Sequence, residues 1–136
     1  MFKRTLPIAI LFSMANAFAF AQVTLTIDIV NLRNNQGSVL LGLYDGHQAQ
    51  VMGLAGAIKN GRATFRVDNL VPGKYAFKFF HDEDNNGRMA ANALGIPEEG
   101  FGFSNNARGF MGPPAFEKWV FELDGNKTIQ CQTKYF

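Results

Sequence analysis

Residues 23–30 read Val23-Thr24-Leu25-Thr26-Ile27-Asp28-Ile29-Val30, and their strict alternation decides the fold class. Successive side chains of an extended strand point to opposite faces, so Val23, Leu25, Ile27 and Ile29 share one side and Thr24, Thr26, Asp28 and Val30 the other. That is the pattern of a half-buried strand. Working outward, Asn34-Asn35-Gln36-Gly37 has turn chemistry and Val39, Leu41 and Leu43 resume the period of two, which predicts a first hairpin. Residues 45–50 read as a polar loop. Ala57 and Ile58 then lead into Asn60-Gly61, a strong two-residue hairpin signal, with Ala63, Phe65 and Val67 returning antiparallel beyond it. Pro72-Gly73 turns the chain into a strand carrying Tyr75, Phe77 and Phe79. Near the end, Phe116, Lys118, Val120 and Glu122 alternate with Glu117, Trp119, Phe121 and Leu123. Asp124-Gly125 then turns into a last strand on which Ile129, Cys131, Thr133 and Tyr135 share a face. About seven short strands with turns at close spacing and no long helical period predict an all-β, antiparallel sandwich.

The start of the chain has a different character. Lys3 and Arg4 precede an apolar run at residues 6–12, followed by overlapping small-residue cleavage sites at Ala15, Ala17, Ala19 and Ala21. This is the pattern of a secretory signal peptide over residues 1–21, too short in its apolar part to be a spanning anchor. The expected product is exported, periplasmic or secreted, with one domain at residues 22–136 and no stable membrane insertion after cleavage. Two of the 13 basic residues lie in the leader, so 11 remain against 11 acidic ones. A formally neutral domain has no basic face for nucleic acid. The single Cys131 cannot form an internal disulfide and reads as a small buried apolar residue. The sequon Asn126-Lys127-Thr128 matters only in a host that glycosylates its exported proteins.

The stretch that strand alternation does not explain is residues 79–119, FFHDEDNNGRMAANALGIPEEGFGFSNNARGFMGPPAFEKW. Its length predicts a functional loop. Asp82, Asp84 and Asn86 fall at alternate positions before Gly87, which matches the start of a calcium loop: alternate residues of a curling chain can turn oxygens inward, and glycine permits the bend. Arg88 would supply a backbone carbonyl at the seventh position. The match then fails, because Ala90 and Ala93 stand where further ligands belong. Glu98, Glu99 or Asp45 would have to complete the shell, and the alternative is a metal-free turn in which Asp, Asn and Gly bond to their own backbone. Calcium is thus an optional cofactor, expected to be weak, and none other is implied. Residues 88–94 carry good helix formers closed by Gly95 and Pro97, which allows a helix of one or two turns.

His81, beside Asp82, Glu83 and Ser104, offers a hydrolase reading, but neighbouring residues of a strand do not converge. Glu98 and Glu99 could serve as acid and base, and equally as a solvated turn. Further on, Phe101, Phe103, Phe110 and Phe116 lie among glycines and prolines. Either their rings plug one edge of the sandwich or some stay open for recognition. Ser104, Asn105 and Asn106 are candidates for bonding to backbone or ligand, and Arg108 for pairing with Glu98 or Glu99.

Leu70-Val71-Pro72-Gly73-Lys74-Tyr75 resembles the turn and strand of small secreted sandwiches of the transthyretin and carboxypeptidase-regulatory type, so the sandwich is expected to be immunoglobulin-like or transthyretin-like. A wider resemblance follows from Tyr75-Ala76, the run from His81 through Asp82, Glu83, Asp84, Asn85 and Asn86 to Gly87, the run Gly95-Ile96-Pro97-Glu98-Glu99-Gly100-Phe101-Gly102-Phe103-Ser104-Asn105-Asn106-Ala107, and Pro114-Ala115-Phe116. With these the chain resembles the exported bacterial family known as domain of unknown function 2141. The resemblance implies a small exported β-sandwich and carries no established activity. That family commonly has an Asp two residues after the position of Arg88, where this chain has Ala90, so any cation site is expected to be weaker here or lost.

The leading expectation is a non-enzymatic binding module that presents residues 81–116 to a small molecule, a glycan or an envelope protein. The alternatives are a hydrolase using His81 or Glu98/Glu99, and a structural domain whose loop is a core plug.

Overall fold

The computed structural model describes residues 21–136, so the signal-peptide reading lies outside the described residues, save for Ala21. The fold is an all-β sandwich of eight strands in two sheets: β1 Val23–Val30, β2 Ser38–Asp45, β3 Gln50–Ala57, β4 Ala63–Leu70, β5 Gly73–Asp82, β6 Phe101–Phe103, β7 Phe121–Leu123 and β8 Lys127–Gln132. The smaller sheet has the order β4-β1-β8; the larger runs β3-β2-β5-β6, with β7 also on β5. Five of the six strand pairings are antiparallel, but β1 and β8 run parallel, with Ile27 opposite Ile129 and Ile29 opposite Cys131. The sheet is therefore mixed.

The inward faces are those the alternation marks. Leu25, Ile27, Ile29, Val39, Leu43, Phe77, Leu123 and Cys131 are fully enclosed, joined by Phe65, Val67, Tyr75 and Phe79. Burial at about 25 cal/mol per Å2 of apolar surface makes these rows the main stabilising term. Removal from water pushes the Cys131 thiol up to about 11, consistent with a packing role.

Several local readings are corrected. β1 and β2 do not form a hairpin, because they belong to opposite sheets, and residues 31–37 carry the chain from one to the other. Asn60 and Gly61 do make the tight left-handed turn (φ 54° and 69°), closed by Lys59 and Arg62. Beyond that bridge, however, β3 pairs with β2 and β4 with β1. The true hairpin is β2–β3, through a loop in which Asp45 accepts from the His47 and Ala49 N–H groups. Residues 116–123 are not one strand: Phe116–Lys118 is a 3-10 turn and only Phe121–Leu123 pairs with β5.

The expected helix at 88–94 is absent. Asn92 explains this, since its Oδ1 accepts from the Leu94 and Ile96 N–H groups and so competes for the donors a helix would use. Ala91 bridges to Pro97 instead, while Gly95 takes the left-handed conformation (φ 76°) inside that small loop.

The edge of β5 opposite β2 is divided. β6 covers Lys78 to Phe80 and β7 covers Gly73 to Tyr75, which leaves Phe77 at the gap. Ser104 fills it: its hydroxyl accepts from Phe77 N–H at 3.0 Å and donates to the Trp119 carbonyl. Outside this sheet, Trp119 packs edge-to-face with Tyr44, Phe103 and Phe116, forming a small second core. Phe101 bonds through its backbone to Lys134 in both directions, tying the larger sheet to the chain that follows β8.

Candidate functional site

The long segment between β5 and β7 is held in a defined shape, and its anchor is the end of β5. Asp82 is buried, and its two carboxylate oxygens accept from Asn86 N–H at 3.2 Å and Gly87 N–H at 2.8 Å. Asp84 accepts from the Asn86 backbone N–H and from its side-chain amide. Asn86 Oδ1 in turn accepts from Arg88 N–H at 2.8 Å. The turn curls as the spacing requires, with Asn85 and Gly87 left-handed (φ 53° and 75°). Gly37 is pressed against its start: a Cβ there would lie 1.9 Å from the Asp82 carbonyl oxygen, so only glycine allows that approach.

Glu99, 17 positions beyond Asp82, comes back to the same place. It is buried, and its oxygens accept from Glu83 N–H at 2.7 Å and Ala90 N–H at 2.8 Å. Asp82, Asp84 and Glu99 thereby bring one carboxylate oxygen each within 4.8 Å of the others. Three like charges this close repel, and oxygen-only donors are the set that a hard cation takes. The fit is partial, because Asn86 Oδ1 already holds Arg88 N–H and Ala90 contributes only an N–H to Glu99. Asp45 ends β2 and serves the turn that follows it.

The other sequence-marked residues take varied places. His81 is fully buried, with Nε2 on the Gln36 carbonyl at 2.6 Å and Nδ1 on the Tyr135 hydroxyl at 2.8 Å. A carbonyl only accepts, so Nε2 donates to Gln36 and Nδ1 shares the other hydrogen bond with the tyrosine hydroxyl. Both ring nitrogens are thus committed to the fold rather than to Asp82, Glu98, Glu99 or Ser104. Asn105 donates to the Lys118 and Val120 carbonyls, and Asn106 accepts from Gln132 N–H. Glu98 and Arg108 are exposed, and no Arg108 ion pair occurs among the described residues.

Arg33 takes the place expected of Arg108. It donates to Glu83 at 2.6 Å and to the Glu98 carbonyl at 3.3 Å, and its guanidinium lies 4.6 Å above the Tyr135 ring. Burial, partly offset by the Arg33 backbone N–H and then by its guanidinium, pushes the Tyr135 hydroxyl up from its ordinary value. Nothing in the sequence around Arg33 marks it, because its partners are at least 50 positions away.

A family model described as "Uncharacterized protein conserved in bacteria (DUF2141)" matches residues 27–130. The chain belongs to this family. The match spans β1 to β8 and includes the whole acidic turn and the loop beyond it, so the site lies inside the family's domain rather than in an appendage. No curated protein and no solved structure matches the chain.

The four phenylalanines do not behave as a uniform plug. Phe101, Phe103 and Phe116 are half-buried in aromatic contacts, whereas Phe110 is 94% exposed and stands beside Met111, 92% exposed, at the tip of the loop. Leu94, on the neighbouring turn, is also bare.

Proposed function

We propose that this is an exported, non-enzymatic binding module whose sandwich presents residues 81–116 to a partner of the cell envelope, a glycan or a small molecule. In this reading calcium sets the acidic base of the loop through Asp82, Asp84 and Glu99. The observation that carries it is the division of labour within one segment: carboxylates gather at the base, while Leu94, Phe110 and Met111 stand in solvent. Large apolar side chains on an ordered loop are characteristic of recognition surfaces. A hydrolase using His81 or Glu98/Glu99 is the less supported reading, because the His81 nitrogens and the Glu99 oxygens are bonded internally while Glu98 is exposed.

Hydrogen exchange tests the proposal. Amides of residues 83–98 are expected to gain protection in calcium and lose it in chelator, and Asp82→Ala with Asp84→Ala is expected to abolish the difference. Equal protection in both buffers would reduce the acids to turn formers.

A further inference from the structure

The outer face of the larger sheet is not the polar surface that the solvent side of a sandwich ordinarily presents. The registers of β3, β2, β5 and β6 set Ala55, Leu40, Phe80 and Phe101 in one row and Gly53, Gly42, Lys78 and Phe103 in the next. Two facing glycines leave the sheet surface bare in the second row. A Cβ on Gly53 would meet only Gln50 Nε2, at 3.5 Å, while the Tyr44 ring folds over Gly42 as one wall. Met89, from the acidic loop, lines the groove together with Phe101 and Phe103. The result is a groove of about 660 Å3, within the range of small-molecule sites.

Its charge is as informative as its shape. Lys78 is the only charged residue in the lining, with Nζ 5.5 Å from the Tyr44 ring centre, and among the described residues it pairs with no carboxylate. Tyr44 and Phe103, which flank it, pack on Trp119, whose indole N–H is the one buried side-chain polar atom without a partner among the described residues. Lys78, itself exposed, is thus the one charged donor on the groove, and apart from Gln50 and the Tyr44 hydroxyl the lining side chains are apolar. A single exposed cation beside an apolar groove differs from the cluster of basic residues that a membrane surface requires.

We propose that this groove binds a free amphipathic anion of the fatty-acid class, its chain along Leu40, Phe80 and Phe101 and its carboxylate at Lys78. The inference deepens the reading of the domain as a binding module but does not depend on the cation.

The experiment follows the fluorescence of dansyl-labelled undecanoic acid on the purified protein, with dodecanoate and dodecanol as competitors, in calcium and in chelator. Saturable binding is expected in both buffers, displaced by dodecanoate at least about tenfold better than by dodecanol. Lys78→Gln should reduce dodecanoate to the level of dodecanol, and Gly53→Leu, which fills the recess, should abolish binding by both. Ala55→Leu, in the adjacent row, serves if Gly53→Leu does not fold. Unchanged binding in a folded filling variant, equal competition by the alcohol, or no saturable signal would overturn the proposal. So would co-sedimentation with phosphatidylglycerol vesicles that survives Gly53→Leu, or sedimentation as a dimer whose dissociation alone exposes the groove. Calcium-dependent protection of residues 83–98 is read separately, so either result can fail without the other.

Discussion

Replacing Glu99 by Gln tests the acidic base of the loop with one atom exchanged for another. The Glu99 oxygens accept separately from Glu83 N–H and Ala90 N–H. An amide keeps one acceptor, so one charge-assisted bond, worth about 1.5–3 kcal/mol, gives way to two opposed N–H groups. The same exchange removes one of three charges lying within 4.8 Å of one another. At an effective dielectric of about 20 each such pair repels by roughly 3 kcal/mol, and by less where Asp84 faces water. The two effects oppose each other, so in chelator the net change is expected to stay within about 2 kcal/mol. Calcium breaks the balance. With Kd about 10⁻⁴ to 10⁻³ M and calcium near 10 mM, binding stabilises the wild type by roughly 1.4–2.7 kcal/mol, or about 5–11 °C in Tm for a domain of this size. The assay is thermal unfolding by circular dichroism, in calcium and in chelator. The wild type should show that gap and Glu99→Gln almost none. A gap that persists in the variant refutes the role of Glu99, and no gap in the wild type refutes the cation.

Other expectations follow from the packing. Ser104→Ala strands the Phe77 N–H and the Trp119 carbonyl between strands, and urea denaturation should register a loss of about 1–3 kcal/mol. Gly56→Val puts a branched side chain where a Cβ already lies 2.6 Å from the Phe65 ring, so overpacking should cost about 1–3 kcal/mol in the same assay. The Cys131 thiol, pushed up to about 11, should react with a disulfide reagent at pH 8 only as fast as the protein opens, and at full speed once urea unfolds it. Burial raises the folded-state values of Cys131, Tyr75 and Tyr135, so the unfolded chain releases these protons first. Stability should therefore be complete below about pH 9 and fall as pH rises toward 11, measurable as a declining urea midpoint.

Individual strands were legible wherever apolar and polar residues alternated, because side-chain direction is a local property. Which strands become neighbours was not. Asn60-Gly61 forms its turn, yet one bridge later the two arms part, since the burial demanded by Leu54 on one side and Phe65 on the other draws them into opposite sheets. β3 was legible only at its end, where Ala57 leads into the turn, because Gly53, Ala55 and Gly56 have none of the branched bulk that marks a strand. In the acidic turn, Asp82, Asp84 and Asn86 curl as their spacing predicts, but the third carboxylate comes from Glu99, on the far side of a loop whose length no periodicity encodes. Phe103 was marked for its ring; Tyr44 and Lys78, which border the same groove from other strands, were not, because only the register places them together.

The parallel pairing of β1 with β8 has a consequence for how the chain comes to its final form. β1 is the middle strand of its sheet, and one whole flank of it waits for residues 127–132. For a polypeptide delivered from its amino end, β1 cannot be completed until residues 127–132 have arrived. Such distant pairing is slow to form, and in the interval Ile27 and Ile29 are open to any chaperone or edge that meets them first.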